Sequence, residues 1–195
     1  MSLRPDLAVI AAHVAPGSRV LDIGCGDGEL MAALRDERGA DARGMEIDPA
    51  KVELCVSRGL PVIQGDANSD LAFYPDGTFD YAILSQTLQT TERPDQMLDE
   101  LLRVGRKAFV SFPNFAHWRV RLALLWQGRM PVTRELPQSW YDTPNIHHLT
   151  IRDFHDLLAA KGVKVERCWF LSDGQQIGRW GANWLAQAAV FQISR

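Results

Sequence analysis

Val20-Leu21-Asp22-Ile23-Gly24-Cys25-Gly26-Asp27-Gly28 decides the fold. A short apolar run ends in three glycines at alternate positions, and the helix-forming stretch Glu29-Leu30-Met31-Ala32-Ala33-Leu34 follows at once. The order is strand, tight loop, helix. Glycine lets the backbone enter conformations closed to residues with a Cβ, and lets a ligand approach the main chain closely. The free N–H groups at the start of the following helix favour an anionic group.

Outward from this unit the pattern repeats. Ahead of it, Leu7, Ile10, Ala11 and Val14 have helical spacing, and Ala15-Pro16-Gly17-Ser18 stops the helix. Behind it, Ala42 to Ile47 forms a second strand ending in an acid, and Asp48-Pro49 opens a helix through Val52, Leu54 and Val56. Leu60 to Gln64, Phe79 to Ser85 and Lys107 to Phe112 make strands three to five, the last preceded by an amphipathic helix over Pro94 to Val104. Thr150, followed by Asp153, opens a helix that ends at Lys161-Gly162. Val163 to Leu171 and Trp184 to Ile193 supply strands six and seven, with a loop rich in Gly and Gln between them. This alternation is expected to give a doubly wound α/β fold: a mostly parallel seven-stranded sheet with helices on both faces, in one domain over 1–195. An insertion at about 115–148 breaks the rhythm, with prolines at 131, 137 and 144 flanking Trp118, Trp126 and Trp140. Long segments between strands are usually functional. Trp118 to Trp126 is expected to be helical.

Composition narrows the function. The 195 residues are 46% hydrophobic and 23% charged, ordinary for a globular domain. A net charge of −3 argues against a dedicated nucleic-acid binder, which needs a basic face. No run has membrane-span length, and Met1 to Asp6 lacks a signal-peptide core, so a cytoplasmic location is expected. The three cysteines, Cys25, Cys55 and Cys168, are spaced for neither a disulfide framework nor a zinc site, and no metal is expected. Buried thiols are the plain reading. Cys25 has a second one, a pKa lowered by the nearby helix N-terminus.

Asp22, Glu46 and Asp66 fall at the carboxyl ends of the first three strands, where an open α/β sheet holds its ligand. Glu46 lies about twenty residues beyond the loop, the position of a ribose-binding acid. Asp66 is placed to accept from an adenine amino group, with the Ala67 N–H offered to a ring nitrogen. The loop is not the G-x-G-x-x-G of dinucleotide sites, and Asp27 and Glu29 would repel a pyrophosphate at the helix N-terminus. S-adenosylmethionine, with an ammonium, a sulfonium and one carboxylate, suits acids beside exposed amides. The expected cofactor is therefore S-adenosylmethionine or S-adenosylhomocysteine, held by Asp22, Gly24, Cys25, Gly26, Asp27, Glu46, Ile47, Asp66, Ala67, Ser85 and Gln86. The nine-residue loop resembles the first motif of class I S-adenosylmethionine-dependent methyltransferases.

Methyl transfer needs an aligned nucleophile, and a base when a proton must leave. The end of the fourth strand, Ser85-Gln86-Thr87-Leu88-Gln89, offers no base. Asn114 after the fifth strand is a residue that could orient a substrate. Candidate bases lie in the insertion: His117, Tyr141 and His147, with Asp142 and His148 beside them. Arg119, Arg121 and Arg129, with the tryptophans, are compatible with a solvated face or a protein-binding surface.

Beyond the loop, Leu84 to Gln89, Val110-Ser111-Phe112-Pro113-Asn114-Phe115, His117-Trp118-Arg119, Gly128 to Val132 and Trp140 to His147 resemble the MetW family of methionine biosynthesis proteins. The resemblance implies work beside a homoserine O-acyltransferase, as an accessory or regulatory subunit that binds S-adenosylmethionine. The alternative is a small-molecule methyltransferase whose base comes from the insertion. A cysteine is expected where Leu149 stands, so no chemistry is assigned to that position.

Overall fold

The computed structural model describes residues 3–133 and 136–195. In chain order the elements are α1 (Pro5–His13), β1 (Arg19–Ile23), α2 (Glu29–Arg38), β2 (Asp41–Glu46), α3 (Pro49–Ser57), β3 (Val62–Gln64) and α4 (Ala67–Asp70). Then come β4 (Phe79–Ser85), α5 (Pro94–Val104), β5 (Gly105–Pro113), α6 (Trp118–Gln127), α7 (Ile151–Ala160), β6 (Lys164–Ser172), β7 (Gln175–Ile177), α8 (Ala182–Leu185) and β8 (Ala188–Ser194). All the strands lie in one sheet, ordered β3-β2-β1-β4-β5-β8-β6-β7. The first five run parallel, and β8 runs antiparallel between β5 and β6.

Alternation along the strands divides the core between the two faces. Leu21, Ile23, Leu84 and Phe112 pack against Leu98 and Leu101 of α5 and Phe154 of α7. On the other face Val20, Ile83 and Phe109 pack against Leu7 and Ile10 of α1 and Leu30 and Leu34 of α2. Asp22, Ser85 and Ser111 share the parity of that second set, so their side chains lie on the face covered by α1.

The architecture is the expected one, with a strand more than the sequence suggests. Asp173 and Gly174, at φ 48° and 78°, form a two-residue turn that pairs Ser172 with Gln175 and creates the β6–β7 hairpin. Trp184 and Leu185, read from sequence as the start of the last strand, close α8 instead, and β8 begins at Ala188. β5 starts at Gly105, directly after α5, where a Cβ would stand 2.7 Å from the Ala82 nitrogen. In α3 it is Cys55 that is buried, while Leu54 and Val56 face solvent. The Thr150 and Asp153 capping box of α7 is present, with Thr150 Oγ1 accepting from the Asp153 amide at 3.2 Å and Asp153 returning the bond at 2.9 Å. In the insertion, α6 is the expected helix.

Candidate functional site

The glycine loop is tied to the end of β2. Gly24, Gly26 and Gly28 all take left-handed φ, of 70°, 60° and 80°. A Cβ on Gly24 would lie 2.7 Å from Thr87 Oγ1, so this position demands glycine on two counts. The Gly24 and Cys25 amides donate to Met45 O at 2.8 and 3.2 Å. The Gly26 amide donates to Glu46 Oε2 at 2.8 Å, and Glu46 Oε1 accepts from Ile47 and Asp48 amides at 2.9 and 3.0 Å. Glu46 therefore shapes the loop as well as facing the crevice. A carboxylate has about four acceptor positions, so roughly one remains for a ligand hydroxyl.

Two adjoining cavities collect the expected residues. The larger, about 520 Å³, is lined by Gly24, Gly26, Glu46, Ile47, Asp66, Ala67, Ser85 and Gln86, and falls in the size range of ligand sites. At its wall, Asp66 caps α4, its Oδ1 accepting from the Asn68 amide at 2.9 Å. Gln86 adopts φ 50°, rare for a residue with a side chain, and its amide is held by Ser111 O at 2.8 Å. The smaller cavity, about 80 Å³, shares Gly24, Gly26 and Ser85 and adds Asp22, Cys25 and Asp27.

Asp22 is the electrostatic centre of the small cavity. It is 2% exposed and has no hydrogen-bond partner among the described residues. Burial pushes its pKa up to about 7; the Arg4 guanidinium opposes the rise, and Glu46 and Asp6 add to it. Asp27 is drawn outward to Arg58 at 3.4 Å. Burial also raises the Cys25 thiol, with Asp22 adding to the effect, which overturns the reading of a thiol activated by the helix N-terminus.

Sequence reasoning missed Arg4 and Asp6. Arg4 Nε donates to Asp6 Oδ1 at 3.1 Å, and Arg4 Nη2 donates to Asp6 Oδ2 at 3.2 Å and to Ser85 Oγ at 2.7 Å. Ser85 and Ser111 hydroxyls also donate to Asp6 Oδ2, at 3.0 and 2.7 Å. Arg4 lines both cavities, and its Nη1 has no hydrogen-bond partner among the described residues. The one local signal is an acid in the first turn of a helix, a common capping arrangement that says nothing of where the helix lies.

The insertion candidates stand elsewhere. His117 is buried and caps α6, its Nδ1 accepting from the Arg119 amide at 3.4 Å, and it lines a separate cavity of about 310 Å³. Burial, then Arg119, lowers its pKa and keeps it neutral near pH 7. Tyr141 is 70% exposed. His147 lines an apolar cavity of about 190 Å³ with Leu88 and Phe154. None of the three lines either cavity at the glycine loop; from the described insertion, only Pro144 does. Asn114 is a structural pin, donating to Ala186 O at 2.8 Å and accepting from the Ala116 amide at 3.1 Å. Among the described residues no group of His, Cys, Asp and Glu is arranged to hold a metal ion, and no helix is long and apolar enough to cross a membrane.

Comparison with known proteins follows the same lines. The family model described as methionine biosynthesis protein MetW matches residues 4–193. The bifunctional methionine biosynthesis protein MetXA/MetW of Rhodopirellula baltica is 37% identical over 188 residues, covering 91% of this chain and 30% of that protein. The chain thus spans under a third of that relative's length. Among solved structures, an S-adenosylmethionine-dependent methyltransferase from Mesorhizobium loti superposes with a TM-score of 0.71 at 17% identity, covering 98% of each chain. The [4+2]-cyclase SpnF superposes at 0.69 with 18% identity, covering 98% of this chain and 81% of its own. At such identities the likeness establishes the fold alone, and a cyclase on that fold is a reminder that fold does not dictate reaction.

Proposed function

Because the chain belongs to the MetW family of methionine biosynthesis proteins, we propose that it is an S-adenosylmethionine-binding accessory subunit acting beside a homoserine O-acyltransferase. The observation that carries the ligand is Asp22: a buried, unpartnered carboxylate beside the glycine loop, with Glu46 and Asp66 facing the adjoining crevice. The adenosine occupies the larger cavity, with Glu46 on its ribose and Asp66 and Ala67 on its adenine. Asp22 takes the ammonium, and the unspent Nη1 N–H groups of Arg4 take the carboxylate. The acidic surroundings favour a ligand with two positive groups and one negative.

The accessory role rests on separation. The end of β4 carries hydroxyls and amides, and His117, Tyr141 and His147 lie away from the ligand cavities, so among the described residues none of the candidate bases is placed to deprotonate an acceptor. The relative in which a MetW segment is part of a larger MetXA/MetW chain supports a partner protein, identified here with the acyltransferase. A second reading, small-molecule methyl transfer, is favoured by Pro144, which brings the insertion to the rim of the ligand cavity. One experiment separates the two: methyl-labelled S-adenosylmethionine is incubated with the protein, the acyltransferase and a metabolite extract, and both label transfer and homoserine acylation are followed. A change in acylation without label transfer supports the accessory role; label transfer with unchanged acylation sinks it.

A further inference from the structure

We propose that the cavity of about 310 Å³ beside His117 is a second small-molecule site, which holds an aliphatic α-amino acid as an effector. Such a site is independent of the ligand placed at the glycine loop and of the acyltransferase. The cavity lies at the carboxyl edge of the sheet: β5 and β6 both run antiparallel to β8, so Asn114 and Asp173 leave the sheet on the same side. Open α/β sheets bind their ligands outside that edge. None of its lining residues lines either cavity at the glycine loop, so a molecule held here is not placed to accept a methyl group there.

His117 is the group that calls for a ligand. It is only 6% exposed, and its Nδ1 accepts from the Arg119 amide, so the proton of the neutral ring sits on Nε2. That N–H has no hydrogen-bond partner among the described residues, yet it is not sealed away, and the cavity is what it opens on. Two opposite charges share the same walls. Arg119 and Asp173 both line the cavity, and neither makes an ion pair among the described residues. The charge of Asp173 is felt at His117 and opposes that of Arg119. An exposed arginine without a pair is ordinary, but here both side chains are held. The Arg119 guanidinium stacks 5.3 Å from the Trp118 ring centroid. Gln187, itself buried, accepts from the Asp173 amide at 2.7 Å and donates to Asp173 Oδ1 at 3.1 Å, which leaves Oδ2 unspent. A zwitterion satisfies all three groups: Arg119 and His117 Nε2 take its carboxylate, and Asp173 Oδ2 takes its ammonium. Pro113, Val120 and Leu136 receive an aliphatic chain. A simple anion would be repelled by Asp173, and a simple cation by Arg119.

The test is calorimetric titration of the full chain with L-methionine, L-leucine and L-valine, each beside the acid that lacks its amine and the amino alcohol that lacks its carboxylate. At least one of the amino acids is expected to bind, and both of its analogues to bind about ten-fold or more weakly. Arg119→Gln and Asp173→Asn should each weaken the amino acid by about the same factor. His117→Asn keeps a side chain that can cap α6 but withdraws the Nε2 N–H, and should weaken it too. Unchanged thermal unfolding in the three variants is the control for folding. No binding of any of the three amino acids up to about 10 mM overturns the site. So does an analogue that binds as tightly as its amino acid, or wild-type affinity in all three variants. Displacement of the amino acid by S-adenosylhomocysteine also overturns it, by moving the amino acid to the glycine loop.

Discussion

At the proposed site, Asp22 is a residue on which folding and ligand binding would pull in opposite directions. Its folded pKa, about 7, lies above that of a carboxyl in the unfolded chain, so the ionised form costs stability. That cost is absent in acid and grows as pH rises from about 4 through 7. Asp22→Asn is therefore expected to stabilise the ligand-free protein at pH 8 by about 1–3 kcal/mol, read by chemical denaturation, while S-adenosylhomocysteine binding collapses. In the wild type a ligand ammonium favours the carboxylate, so binding releases a proton and affinity falls as pH drops from 8 to 6. Calorimetry in buffers of different ionisation heat counts that proton, and a pH-independent affinity would remove Asp22 from the ammonium. Arg4 gives a second test. Arg4→Gln should weaken S-adenosylhomocysteine roughly ten-fold or more and leave 5′-methylthioadenosine, which has no carboxylate, unaffected. Asp22, Glu46 and Asp66 were legible because each lies at or just beyond the carboxyl end of a strand, and those ends converge wherever the sheet is parallel. Arg4 was not, because its place depends on α1 crossing the sheet above Ser85, a tertiary fact without a local pattern.

Elements were legible where one local pattern dominates. β1, β4 and β5 are legible as apolar runs followed by turn chemistry, and the Thr150 and Asp153 box marks the start of α7 to the residue. Thr150→Ala removes one side of that box and should cost about 1 kcal/mol in denaturant unfolding, with ligand affinity unchanged because α7 lines neither ligand cavity. The β6–β7 hairpin was missed although Asp173-Gly174 is the dipeptide that such turns favour; the short strand after it, Gln175–Ile177, is polar and hides its period. Trp184 misled for the opposite reason. A large aromatic reads as strand, but Gly181 at φ 71° turns the chain, and the Ala186 amide closes one helical turn on Ala182 O at 2.8 Å.

Taken whole, residues 140–149 run between the cavity at the glycine loop and a groove beside α6. Pro144 lines the cavity at the glycine loop, while Trp140, Thr143, Asn145 and His148 line the groove. Between them the Ile146 and His147 amides both donate to Gln89 O, at 2.9 and 3.0 Å, just beyond the strained Gln86. Among the described residues Gln89 Oε1 and His147 Nε2 are buried without a hydrogen-bond partner. A ligand on either side shifts this strap if it favours an arrangement in which those atoms find partners. Saturating S-adenosylhomocysteine is therefore expected to change the affinity for the acyltransferase by about five-fold or more, and the acyltransferase to change S-adenosylhomocysteine affinity by the same factor, because coupling between two sites is reciprocal. Both affinities are measurable by titration with and without the other ligand. Equal affinities in the two titrations would leave the two binding events independent and reduce the strap to a passive connection. His147→Leu, which removes one unpartnered atom, should shrink the coupling while leaving the cavity-lining residues in place.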